Sequence, residues 1–124
     1  MIEDSHLLGH ILEEELGRNG FEVTAAYDGK GGILKAREIH FDAIILDLVL
    51  PDIPGESVCR ELRRFPETEK IPIIMLTSKD TDVDKVVGRV LGADAYIYKP
   101  FDLGKLLAEI ERLTGHKEAG DGTK

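Results

Sequence analysis

Residues 43–55 read AIILDLVLPDIPG. The opening Ala43-Ile44-Ile45-Leu46 is a short, unbroken apolar run, the pattern of a strand buried on both faces of a parallel sheet. It stops at an acid, Asp47. A second run of the same kind covers Ile71 to Leu76, and a weaker one, Ala95 to Tyr98, closes just before Pro100. Upstream, Phe21 to Ala26 alternates β-prone residues after Asn19-Gly20, a helix stop and turn signal, and is expected to be a strand. Helical periodicity fills the intervals. Leu8, Ile11, Leu12 and Leu16 recur at three- and four-residue spacing, with Glu13-Glu14-Glu15 on a solvated face. Further helices are expected over Lys30 to Ile39, Glu56 to Arg64, Asp82 to Leu91 and Asp102 to Thr114, the last with Asp102 as N-cap and Gly115 as stop. Strands alternating with helices imply right-handed crossovers and an α/β, doubly wound parallel sheet.

Composition bounds the function. The chain has 124 residues, enough for one domain with a real core, of which 42% are hydrophobic and 32% charged. Its net charge of −8 argues against nucleic-acid binding by this domain, since phosphate backbones want a basic footprint. The same charge suits a cation site and basic partner surfaces. No apolar run approaches the ~20 residues of a membrane span, and no signal peptide opens the chain. The single cysteine, Cys59, excludes an internal disulfide and is expected to be a small, half-buried helix side chain. The expectation is a cytoplasmic domain over residues 1–115, with a flexible tail over 116–124.

In parallel α/β sheets, ligands bind beyond the carboxyl ends of the strands. Glu3 and Asp4 follow Met1-Ile2, Asp47 follows Leu46, Thr77 and Ser78 follow Leu76, and Lys99 follows Tyr98. Three carboxylates, two hydroxyls and one ammonium thus meet at one edge. Clustered carboxylates repel unless a cation joins them, and oxygen ligands of this kind suit Mg²⁺. Lysine and hydroxyl groups can hold a phosphoryl group, so the set describes a carboxylate poised for in-line attack on phosphorus.

The runs Glu3-Asp4, Asp47 to Gly55, Leu76-Thr77-Ser78 and Tyr98-Lys99-Pro100-Phe101, with Gly92-Ala93-Asp94-Ala95-Tyr96 between them, resemble the receiver domain of bacterial two-component response regulators. The resemblance spans Glu3 to Leu113 and implies a flavodoxin-like (βα)5 sheet of order 2-1-3-4-5. It implies that Asp47 is the phosphoacceptor, charged by a histidine kinase or phosphotransfer protein. Mg²⁺ would be held by Asp4, by Asp47, by Glu3 through a water, and by the backbone carbonyl of Val49. Lys99 would pair with Asp47 or the phosphate, and Thr77 would move its hydroxyl onto the phosphate. Tyr96 would then swing inward and switch the face formed by the fourth helix, fifth strand and fifth helix, over 82–91, 95–98 and 102–114. That face would address a downstream effector or a fused output domain, and dimerisation on phosphorylation is allowed. Such a domain promotes its own phosphorylation and dephosphorylation without being a turnover enzyme.

Two other classes fit less well. Aspartyl-phosphate enzymes of the haloacid dehalogenase type favour a second acid two residues after the nucleophile, where this chain has Val49. A flavin-binding flavodoxin would need a hydroxyl- and glycine-rich phosphate loop, where this chain has Glu3-Asp4-Ser5. Several residues have plain structural readings. His6 and His10 are expected to be solvated helix histidines, and Arg60, Arg63 and Arg64 a solvated face. Tyr98 and Phe101 are expected to pack at the core or its rim, and the helix glycines Gly9, Gly31, Gly32, Gly88 and Gly104 to allow close packing on the sheet. Only Met1 and Ile2 precede the acid pair, so the first strand is expected to be largely missing, through a truncated or misassigned start. A chain that folds as written should keep a residual strand of one or two residues, or cover the exposed edge with a second copy.

Overall fold

The computed structural model describes residues 1–3, 5–48, 50–77, 92–98 and 102–115. In chain order these form α1 (His6–Arg18), α2 (Gly29–Glu38), β1 (Ile44–Asp47), α3 (Gly55–Leu62), β2 (Ile73–Thr77), β3 (Ala95–Tyr98) and α4 (Leu103–Thr114). The helix expected over 82–91 and the tail over 116–124 lie outside the described residues.

The apolar runs become the sheet. β1, β2 and β3 are parallel and adjacent in that order, with Ile44 opposite Ile73, Asp47 opposite Leu76, Ile74 opposite Ala95 and Thr77 opposite Tyr98. β2 starts at Ile73 rather than Ile71 because Pro72 has no N–H to donate; its carbonyl still accepts from Ile44 N–H (2.9 Å). Alternate side chains serve opposite faces. Ile44, Leu46, Ile73 and Met75 pack with Ala36, Val58 and Leu62 on one side. Ile45, Ile74, Leu76 and Ile97 pack with Leu12, Leu16, Leu106 and Ile110 on the other. β1 and β2 are buried throughout, as continuous apolar runs require.

The first strand survives as a single residue. Ile2 forms parallel bridges to both Ala26 and Leu46, which places it between the 21–26 segment and β1 and gives the 2-1-3-4-5 order. Six residues were expected to form a strand over 21–26; only Ala26 bridges. Ladder bonds need a neighbour. Met1–Glu3 supplies bonds to Thr24 and Ala26 alone, while Phe21 N–H closes the end of α1 on Leu16 C=O (3.0 Å).

The helices are capped where the sequence indicated. Asp102 accepts from Gly104 N–H (3.0 Å), and Gly115 ends α4 at φ 76°, where glycine is favoured. Ser5 caps α1 through Leu8 N–H, and Asp28 caps α2 through Gly31 N–H. Gly32 lets α2 settle onto Ile2, since a Cβ there would run into that side chain. Two readings are corrected. Cys59 is fully buried rather than half-buried, and burial pushes its thiol up to about 11, so it is inert. Arg63 is not part of a solvated face. Its guanidinium bonds the carbonyls of Gly92, Glu69 and Ile71 and the Asp94 carboxylate (2.9 Å), tying α3 to the entry of β3. A planar five-donor fork can satisfy several converging acceptors at once, which spacing along one helix does not reveal. His6 stacks on Tyr27 with ring centroids 3.9 Å apart, so it is a packing residue as well as an exposed one.

Candidate functional site

Asp47 is the last residue of β1 and is only 4% exposed. Its N–H donates to Ile2 C=O (2.9 Å), so the residue after Ile2, Glu3, stands beside it at the same strand ends. Glu3 is 1% exposed, and its carboxylate accepts from Ser5 N–H (3.1 Å). On the other flank Leu76 faces Asp47, and Thr77, 2% exposed, is the next residue out. Three buried polar side chains therefore sit side by side at the carboxyl edge of an otherwise apolar sheet. Charge there is costly without a counter-charge. A hard cation with oxygen ligands fits this donor set, although among the described residues no group of three His, Cys, Asp or Glu side chains gathers to hold one. Asp4, Val49 and Lys99, the remaining expected members, lie outside the described residues, as do Ser78 and Phe101.

The loop after Asp47 is held tightly. Leu48 N–H donates to Leu76 C=O (3.0 Å), and Gly55 N–H to Leu48 C=O (2.8 Å). A Cβ at Gly55 would meet the Asp47 carbonyl oxygen and lie 2.7 Å from Leu48 Cα, so only glycine lets α3 start this close. Asp52, not singled out in the sequence, anchors the loop's far end. Its carboxylate accepts from Gly29 N–H (2.8 Å) and Lys30 N–H (3.0 Å) at the start of α2, and those backbone donors hold its pKa below the usual range. An acid 23 residues from the helix it caps carries no local signal. Tyr96 lies opposite Met75 on β3, partly buried against the α2/α3 side of the core. Tyr98 is partly buried opposite Thr77, in keeping with rim packing.

A buried acid ends a central parallel strand, flanked by a second acid and a hydroxyl, and the response regulator receiver domain family matches residues 1–111. The chain belongs to this family. It is 44% identical over 113 residues to response regulator ArlR of Staphylococcus aureus; the match takes in 91% of this chain and 50% of that protein. The chain thus spans about half the length of the curated relatives it matches. Among solved structures, a response regulator of Chloroflexus aurantiacus superposes with a TM-score of 0.86 at 30% identity, covering 93% of this chain and 94% of that one. Chemotaxis protein CheY4 of Vibrio cholerae gives 0.86 at 30% identity, covering 90% and 93%. The receiver domain of sensor histidine kinase PA1611 from Pseudomonas aeruginosa gives 0.85 at 30% identity, covering 93% and 94%, and holds a magnesium ion in its active site cleft. The chain is a receiver domain of two-component signalling with the flavodoxin-like α/β fold. Among the described residues no helix is long and apolar enough to cross a membrane.

Proposed function

We propose that Asp47 is the phosphoacceptor of this receiver domain. The observation that carries the proposal is its burial, 4% exposed, at the end of β1 between Glu3 and Thr77. A partner kinase or phosphotransfer protein would present a phosphohistidine; an Asp47 carboxylate oxygen attacks phosphorus in line, the P–N bond breaks, and the imidazole leaves. Mg²⁺ would neutralise the oxygens of acceptor and phosphoryl group, held by Asp4, Asp47, the Val49 carbonyl and, through water, Glu3. Lys99 would supply the fixed positive charge and Thr77 a hydroxyl donor to the phosphoryl oxygens. Tyr96, on the strand next to Thr77, would carry the change to the face of 82–91, β3 and α4, where a downstream effector or fused output domain reads it. Residues 1–115, ending where Gly115 closes α4, would form the functional unit, a stoichiometric acceptor acting in the cytoplasm. With Mg²⁺ and acetyl phosphate, the intact mass should rise by one phosphoryl group. Asp47→Asn should abolish the gain and Asp4→Ala reduce it; undiminished incorporation in Asp47→Asn rejects the assignment.

A further inference from the structure

Helix α2 reaches the buried Asp47 by two routes. Gly32 sits against the Ile2 side chain, so close that a Cβ there would collide with it, and Ile2 C=O accepts from Asp47 N–H (2.9 Å). The second route runs through the chain that leaves Asp47. That chain turns back where Gly55 N–H donates to Leu48 C=O (2.8 Å), and its far side meets the start of α2. There the Asp52 carboxylate takes Gly29 N–H on one oxygen (2.8 Å) and Lys30 N–H on the other (3.0 Å). Beside it, a Cβ at Gly29 would lie 2.6 Å from Ile53 Cγ1, so the first turn of the helix rests directly on the loop. A helix is ordinarily capped by the residue just before it. In α2 that residue is Asp28, which accepts from Gly31 N–H (2.7 Å). The second acid comes from 23 residues away, and what it adds is a tie between helix and loop.

We propose that Asp52 is a positioning residue for phosphoryl transfer: by tying the loop to the first turn of α2, it holds the Asp47 carboxylate in line with the incoming phosphorus. The inference rests on the reading of Asp47 as phosphoacceptor. A carboxylate at the positive end of a helix, with a charge-assisted bond on each oxygen, resists displacement. The same donors favour its charged form, so the tie is made throughout the neutral range. In-line attack tolerates little misplacement of the attacking atom. Without the tie the loop keeps its closure at Gly55 but loses the hold on its far side. The freed backbone then regains conformations in which Asp47 is not aligned. Asp52 acts through the loop, its two oxygens being engaged by α2.

The test compares Asp52→Asn and Asp52→Ala in the 124-residue chain. Both remove the same negative charge, but asparagine keeps an oxygen for Gly29 N–H and alanine keeps none. Phosphoryl uptake from acetyl phosphate is timed by intact mass at saturating Mg²⁺, below the melting temperature of each variant. Alanine should slow uptake about tenfold and asparagine about threefold, through misalignment of the acceptor. The loss should persist at high salt, which screens any long-range effect of the missing charge. In ¹H–¹⁵N spectra both the Gly29 and Lys30 amides should move in the alanine variant, and chiefly Lys30 in the asparagine variant. Uptake by Asp52→Ala at the unmodified rate overturns the proposal. So does an equal slowing of both variants, or a loss that salt removes, since either would mean charge alone. Should Asp52→Ala not fold, the asparagine variant decides alone: slowed uptake at high salt with a displaced Lys30 amide upholds the tie, and an unchanged rate overturns it. Uptake that persists in Asp47→Asn is a different result and rejects the acceptor reading itself.

Discussion

At the scale of single residues, the site joins atoms whose roles separate in experiment. On the reading proposed above, buried Asp47 carries the phosphoryl group, and water must reach it from the in-line direction to end the signal. The positions two beyond the acceptor and two beyond the switch threonine tune that rate in receivers, and here they are Val49 and Lys79. Valine offers no acceptor to orient water and lysine offers only donors. Slow autodephosphorylation is expected, and Val49→Asn with Lys79→Glu should speed decay several-fold in a timed loss of the mass increment; an unchanged rate contradicts the argument. The Met1 ammonium gives a second residue-scale expectation. Its pKa is 8.0 when unfolded and about 6 when folded, because burial opposes its charge. Between these values the unfolded chain binds more protons, so stability rises with pH from 6 to 8 and is flat on either side as far as this group acts. The gain is on the order of 2 kcal/mol. Urea melts across that range should show it, and Nα-acetylated protein should lose that component of the slope.

Individual elements show how far local pattern carries. The helix over 102–114 was readable at both ends because Asp102 and Gly115 act on their own neighbours. Arg63 and Asp52 were not readable, since each bonds backbone brought near only by folding: Arg63 the carbonyl of Gly92, Asp52 the N–H groups of Gly29 and Lys30. Glycines divide in the same way. Gly17 in α1 has nothing within 4 Å of an added Cβ, so Gly17→Ala should stabilise by about 0.5–1 kcal/mol through helix propensity. Gly55 faces backbone at the Asp47 turn, so Gly55→Ala should cost about 1–3 kcal/mol and, on the reading proposed above, slow phosphoryl uptake by displacing Asp47. Thermal melts of the pair, with acetyl-phosphate labelling of the second, distinguish them. Destabilisation by both or by neither would mean that close approach is not what requires Gly55.

For the whole molecule, the open question of the sheet is its middle. Five apolar residues placed directly before Met1 should complete the strand between 21–26 and β1, that being about the length of a parallel strand. The extended protein should melt at least about 5 °C higher and, on the reading proposed above, bind Mg²⁺ more tightly, because a longer strand would hold Glu3 more firmly at the carboxyl edge of the sheet. Equal melting temperature and equal Mg²⁺ affinity would show that Ile2 alone suffices. Sequence by itself determined the alternation of strands and helices, the caps of the last helix, and the acids and hydroxyl that follow the apolar runs. Those features depend on side-chain periodicity and on bonds within one turn, which are local. Only the tertiary structure decided that 21–26 bridges at one residue, that Cys59 is wholly buried, and that Arg63 and Asp52 bind distant backbone. A strand needs a partner to pair with, and a long polar side chain bonds whatever the fold brings within reach; neither is written in its own neighbourhood.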